Sequence, residues 1–332
     1  MNTGVLLINL RGTVLSDDER IILENSSVAG VLFFARNFRN PDQLKQLVDS
    51  IRAVRQDLLI CVDHEGGRVQ RFQEGFTRLP AMSHFASLYQ SEQEKALALV
   101  RDTGWLMASE LLACGVDLSL APVVDLDLGK TDIVGDRAFG STPGQVIALA
   151  EAWIDGVHET GMSTVLKHFP GHGSVNDDSH LVLPVDTRTF AEIQSRDLKP
   201  FKHLVKQGVE AIMPAHIQFT EVDENPAGFS KIWLEDILRN QLNFGGLVIS
   251  DCLTMEGAAS AGNYVTRVER ALKAGCDLLI LSNRQGVMDV LDQARDTPLR
   301  GVGPGRLLTM NRPDWNNLVN SQRHRLVVKQ LG

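Results

Sequence analysis

Eight short, almost unbroken apolar runs recur along the chain: VLLINL (5–10), GVLFFA (30–35), LLICVD (58–63), VDLSLAPVVD (116–125), STVLKH (163–168), AIMPAH (211–216), GLVISD (246–251) and DLLILSN (277–283). A strand with one wet face alternates apolar and polar residues. These runs do not alternate, so they predict strands buried on both faces, as in a parallel sheet covered by helices. Between them lie stretches of helical period, among them PDQLKQLVDSIRAVRQ (41–56), EQEKALALVRDTGWLMASELLACG (92–115), PGQVIALAEAWIDGVHETG (143–161) and TFAEIQSRDLKPFKHLVKQG (189–208). Several of them close on glycine, which suits the left-handed turn that ends a helix. Eight strand–helix units in about 290 residues is the arithmetic of a (β/α)8 TIM barrel. The expectation is therefore an α/β chain forming one domain, with the barrel over about 4–296 and a C-terminal tail, 297–332, packed on it. A doubly wound nucleotide-binding sheet competes, but neither GxGxxG nor GxxxxGK[ST] follows any of the runs.

Composition narrows the class without naming it. Of 332 residues, 43% are hydrophobic, enough for a large buried core. Lys and Arg total 33 against 41 Asp and Glu, a formal net charge of -8, and the basic residues are scattered, which argues against a nucleic-acid surface. No run approaches a membrane span, and the N-terminal MNTGVLLINLRGTVLSDDER lacks the basic start of a signal peptide. The four cysteines, Cys61, Cys114, Cys252 and Cys276, lie far apart with no CxxC spacing, as expected of reduced thiols in the cytoplasm. Nothing implies an obligate protein partner.

Polar residues end six of the predicted strands: Asp63, Asp125, His168, His216, Asp251 and Asn283. In a barrel those C-terminal ends form the active-site face, so six separate segments deliver polar groups to one place. For Asp125 and Asn283 the capping of a following helix is an equal reading. The segment KHFPGHGSVNDDSH, 167–180, adds the densest group of protonatable side chains. Its glycines and proline exclude a regular helix, leaving a metal site, an acid/base device or a polar loop. Asp178, two residues before His180, can accept a hydrogen bond from the imidazole and fix its tautomer. A histidine so held can protonate a leaving alcohol near neutral pH and later deprotonate water.

The motifs VDHEGGRVQRF (62–72), GDRAFG (135–140), KHFPGHG followed by DSH, IMPAH (212–216) and SDCLTMEGA (250–258) together resemble the family 3 glycoside hydrolases. Within that family they resemble the single-domain bacterial β-N-acetylglucosaminidases of peptidoglycan recycling. The resemblance runs in order from the first strand to about residue 295. It implies a retaining exo-β-N-acetylglucosaminidase that needs no cofactor or metal. The substrate implied is a carbohydrate, a muropeptide carrying N-acetylglucosamine on 1,6-anhydro-N-acetylmuramic acid. By the same resemblance Asp251 is the nucleophile, His180 the acid/base with Asp178 behind it, and Asp63, Arg71, Arg137, Lys167 and His168 hold the terminal sugar. Larger members take their acid/base glutamate from a second domain that this chain lacks, which throws the proton transfer onto His180.

Of the remaining motif residues, Arg68 is expected to brace its loop, His172 to hydrogen-bond within the 171–180 loop, and His216 to line the pocket floor with Met213 behind it. Two positions depart from the frequent family pattern: Cys252 stands where a second aspartate follows the nucleophile, and His64, expected to point away from the sugar, stands where glutamine is common. Three other readings compete. A β-glucosidase would share the sugar-holding residues. A metal-dependent barrel hydrolase would draw ligands from His168, His172, His180, His216 and Asp251, though no HxH pair is present and Lys167 would face the metal. A non-catalytic sugar-binding barrel would be expected to have lost Asp251 or the Asp178/His180 pair.

Overall fold

The structure is a computed structural model that describes residues 4–332. Each predicted run yields a parallel strand: β1 (Leu6–Ile8), β2 (Val28–Phe33), β3 (Leu59–Val62), β4 (Leu118–Ser119), β5 (Val165–Phe169), β6 (Ala211–Pro214), β7 (Leu247–Val248) and β8 (Leu279–Leu281). They pair in the orders β8-β1-β2-β3-β4 and β5-β6-β7. Isolated parallel bridges, Val123↔Lys167 and Ile249↔Leu278, link the two sheets at both of their edges. The arrangement is an α/β fold of TIM-barrel-like character. β4 is much shorter than the 116–125 run that predicted it, because Pro122 has no N–H to give the ladder.

The unbroken hydrophobicity of the runs has a direct cause. Leu7, Leu59, Cys61, Leu118, Val165, Ala211, Leu247 and Ile280 belong to an inner cluster enclosed by the strands, while their neighbours Leu6, Ile8, Ile60, Val62, Leu279 and Leu281 belong to the layer beneath the helices. Both faces of each strand are dry, so polar residues are confined to positions where a specific partner meets them, as Lys167 and His168 do near the end of β5.

The helices start where their caps predict. Asn40 and Thr142 each accept from the N–H three residues on, with Pro41 and Pro143 in the first turn of the helices Pro41–Val54 and Pro143–His158. The helix predicted at 189–208 is instead two, Phe190–Ser195 and Leu198–Lys206. At the break Asp197, almost fully buried, accepts from Arg188 at 2.7 Å and from Ser174 at 2.7 Å, which fastens the base of the 171–180 loop. After β3 the glycine turn at Gly66 and Gly67 closes a short hairpin, His64–Gly66 with Val69–Gln70. Its turn needs glycine: Gly67 has φ 53°, and a Cβ there would lie 2.8 Å from that of Ala81.

The tail crosses the opposite end of the strands. Thr309 donates to the Gly161 carbonyl at 2.6 Å and Arg312 to that of Gly115 at 2.9 Å, both glycines preceding strands. Leu307 is fully buried and joins the inner cluster, closing it from below. Further on, His324 meets Glu110 at 2.9 Å and Arg323 lies 4.1 Å over Trp105.

Candidate active site

At the C-terminal ends of the strands lies a cavity of about 550 Å³, and all eight residues expected to act on the sugar line it: Asp63, Arg71, Arg137, Lys167, His168, Asp178, His180 and Asp251. Leu32, Leu120, Met213 and Ile280 give it an apolar floor. A register irregularity between Lys167 and Phe169 lets two consecutive residues, Lys167 and His168, both face inward, which a regular strand forbids.

One wall is an ion network. Lys167 donates to Asp63 at 3.0 Å and lies 2.6 Å from Glu65, while Arg137 holds Glu65 through two bonds of 2.8 and 2.7 Å. Glu65, whose place in HEGG carried no signal distinguishing it from a loop residue, is the hub that sequence reasoning missed. Burial works against its charge, but Arg137 and Lys167 outweigh it and hold the carboxyl far below the ordinary range. The same arrangement raises Lys167: burial opposes the ammonium, and Asp63 and Glu65 overcome it. Arg137 is thus largely engaged by Glu65, whereas Asp63, with Arg71 at 3.8 Å, keeps accepting capacity toward the cavity. Arg68 braces a neighbouring loop, pairing with Asp136 at 2.8 Å and donating to the Ile133 carbonyl at 2.9 Å.

Beneath His168 sits Asp125, almost wholly buried. One carboxylate takes the His168 ring Nδ1 at 2.7 Å and the His172 backbone N–H at 2.8 Å, so it fixes a cavity-lining imidazole and the start of the following loop together. It caps no helix. Asn283 does, accepting from Gly286 N–H at 2.9 Å, and it plays no part in the cavity wall.

Asp251 does not cap a helix; no helix starts at Leu253, and its Oδ1 accepts from the Cys252 N–H at 2.7 Å. Burial alone would raise its pKa, but His216, His168, that N–H and Lys167 together lower it, so an anionic carboxylate faces the cavity. The Cys252 thiol bonds the hydroxyls of Thr254 and Ser282, each at 2.9 Å. The expectation for His216 needs correcting. Met213 lines the cavity, and His216 lies buried behind it, bonded to the Cys252 carbonyl at 3.1 Å and stacked on Phe229. The cause is the alternation of the strand: Met213 points inward and the chain has turned away by residue 216.

Also lining the cavity, His180 has its Nδ1 2.9 Å from Asp178 Oδ1, which also accepts the His180 backbone N–H at 2.8 Å. The imidazole side chain is 63% exposed, and Nε2 carries no hydrogen bond among the described residues. His172 bonds Ser179 within the loop at 3.2 Å, as expected. His64 points away, packed 5.6 Å from both Phe72 and Phe76, with burial, Arg71 and Arg78 bringing its pKa down to about 3. Among the described residues no group of three His, Cys, Asp or Glu side chains is arranged to hold a metal ion.

The model of the glycosyl hydrolase family 3 N-terminal domain matches residues 6–298. The chain belongs to glycosyl hydrolase family 3. It is 48% identical to the β-hexosaminidase of Tolumonas auensis over 323 residues, covering 96% of this chain and 95% of that protein. Similarity to the β-hexosaminidase of Actinobacillus pleuropneumoniae serotype 5b is also 48%, over 332 residues and 98% and 96% of the two chains. Among solved structures it superposes on NagZ from Neisseria gonorrhoeae in complex with N-trifluoroacetyl-D-glucosamine with TM-score 0.91 and 37% identity, covering 100% of this chain and 98% of that one. No helix among the described residues is long and apolar enough to cross a membrane.

Proposed function

We propose that this family 3 member is a retaining exo-β-N-acetylglucosaminidase that releases terminal N-acetylglucosamine from muropeptide fragments in the cytoplasm, and that its two sheets close into one eight-stranded barrel forming a single catalytic domain. The observation that carries the reading is the presence, in one cavity, of an anionic Asp251 and an Asp-held imidazole, His180, delivered by different loops. The relatives bear on the sugar: they are β-hexosaminidases, and the gonococcal structure holds an N-acylated glucosamine.

In this mechanism Asp251 attacks the anomeric carbon as the glycosidic bond breaks, and the proton on His180 Nε2 passes to the departing oxygen. A covalent glycosyl ester on Asp251 results. His180, now neutral at Nε2, takes a proton from water as that water attacks the anomeric carbon and releases Asp251, restoring the starting configuration. Asp178 anchors the Nδ1–H and so keeps the reactive nitrogen pointing outward. Asp63 accepts, and Lys167, Arg71 and Arg137 donate, to a pair of adjacent sugar hydroxyls; His168 extends that fork.

The test is a side-by-side assay on aryl β-glycosides of N-acetylglucosamine and of glucose, with and without EDTA. Turnover confined to the N-acetylglucosaminide and indifferent to EDTA is expected. Preference for the glucoside would make the chain a β-glucosidase, and loss on chelation with recovery on zinc would make it a metallohydrolase.

A further inference from the structure

Between the proposed acid/base pair sits a residue that faces the other way. The side chains of Asp178 and His180 are 36% and 63% exposed, yet Ser179 is only 2% exposed. Among the described residues between Val175 and Pro184, Ser179 alone is buried. It is held from two directions. Its Oγ hydrogen-bonds His172 Nε2 at 3.2 Å, and its carbonyl accepts the Gly257 N–H at 2.9 Å.

Both partners are themselves fixed. His172 is buried and tied through its own N–H to Asp125, and burial together with the neighbouring His168 brings its pKa down to about 4, so it is a neutral anchor. Gly257 lies six residues after Asp251 in the first turn of the short 3-10 helix Glu256–Ala261. A Cβ on it would stand 3.1 Å from the Ser179 carbonyl oxygen and 2.9 Å from His216 Cβ, so glycine is what allows the two loops to touch.

We propose that Ser179 is a positioning residue: its carbonyl on the Gly257 N–H couples the loop bearing His180 to the loop bearing Asp251, its hydroxyl on His172 holds it in that place, and together they set the distance between proton donor and nucleophile. An exposed imidazole on an unanchored loop would spread over many positions, while proton transfer needs its nitrogen within hydrogen-bond reach of the leaving oxygen. The inference rests on the reading of His180 as the acid/base.

The test compares kcat/KM of wild type, S179A, G257A and H180A over aryl β-N-acetylglucosaminides graded in leaving-group acidity, with thermal melts to verify folding. H180A is expected to lose most on weakly acidic phenols. S179A should follow the same trend more weakly, losing about ten- to a hundredfold on the poorest leaving groups and less than about threefold on a dinitrophenyl glycoside. G257A, which crowds the Ser179 carbonyl from the other loop where S179A removes its hydroxyl bond to His172, should share that slope and serves in its place if S179A fails to fold. A flat loss across the series for the Ser179 and Gly257 variants, or no loss, alongside a steep H180A slope would overturn the coupling while sparing the acid/base role. A flat H180A series would remove the acid/base reading itself, and the coupling with it.

Discussion

Replacing Glu65 by glutamine tests the ion network that frames the sugar fork. Glu65 receives three contacts of 2.6 to 2.8 Å from Arg137 and Lys167. The side chains of those cations are only 11% and 2% exposed, so water cannot take over when the carboxylate is removed. Glutamine keeps the shape and one acceptor but brings an NH₂ against a guanidinium or an ammonium. Lys167 retains Asp63; Arg137 loses its carboxylate partner. Breaking a buried pair from one side costs about 3–5 kcal/mol. For a chain of this size that lowers the melting temperature by roughly 4–7 °C.

The pH dependence supplies a second check. The folded-state pKa of Glu65 is depressed, so its stabilising contribution is complete above the unfolded carboxylate value of about 4.3 and is lost as the pH falls below it. Urea unfolding of wild type and E65Q should therefore show a constant gap from pH 8 to about pH 5.5, narrowing toward pH 3. A variant within about 1 kcal/mol of wild type at pH 7, below the range for a broken buried pair, or a gap that widens in acid, would refute the assignment of Glu65 as the charge hub.

Three further outcomes are expected. Asp125→Asn removes the anion that orients His168 and should lower kcat/KM about ten- to a hundredfold, the equivalent of one charge-assisted hydrogen bond, as read in steady-state assays. Leu307→Ala opens a cavity at the far end of the strands, so urea unfolding should show a loss of about 2–5 kcal/mol while kcat/KM of the folded enzyme stays at the wild-type value. Asp251→Ala, assayed with an aryl N-acetylglucosaminide, should remove turnover and also any burst of phenol, since no covalent intermediate forms; a surviving burst would place the nucleophile elsewhere.

The sequence alone carried the strands far and the loops poorly, for physical reasons. A strand dry on both faces is apolar nearly throughout, so the eight runs were legible, and at three of them the polar residue that ends the run, Asp63, His168 or Asp251, lines the cavity. What the runs could not convey was the length of pairing, cut short at β4 by Pro122, or the change of direction that puts Met213 in the cavity and His216 behind it. Glu65 escaped notice because nothing local distinguishes a carboxylate that will meet Arg137, seventy-two residues later, from one in solvent. Asn283 and Asp125 looked alike as strand-end polar residues; only tertiary contacts separate a helix cap from the anchor of His168. The split at Arg196 and Asp197 likewise depends on Arg188 and Ser174, which lie outside the helix itself.

The most direct test of the central claim is to trap the glycosyl-enzyme. Incubation with a 5-fluoro N-acetylglucosaminyl fluoride, followed by proteolysis and tandem mass spectrometry, should find the sugar on the peptide containing VISDCLTM, esterified to Asp251. A label on Asp63 or Asp178, or complete turnover of the reagent by an enzyme that never becomes labelled, would contradict the account.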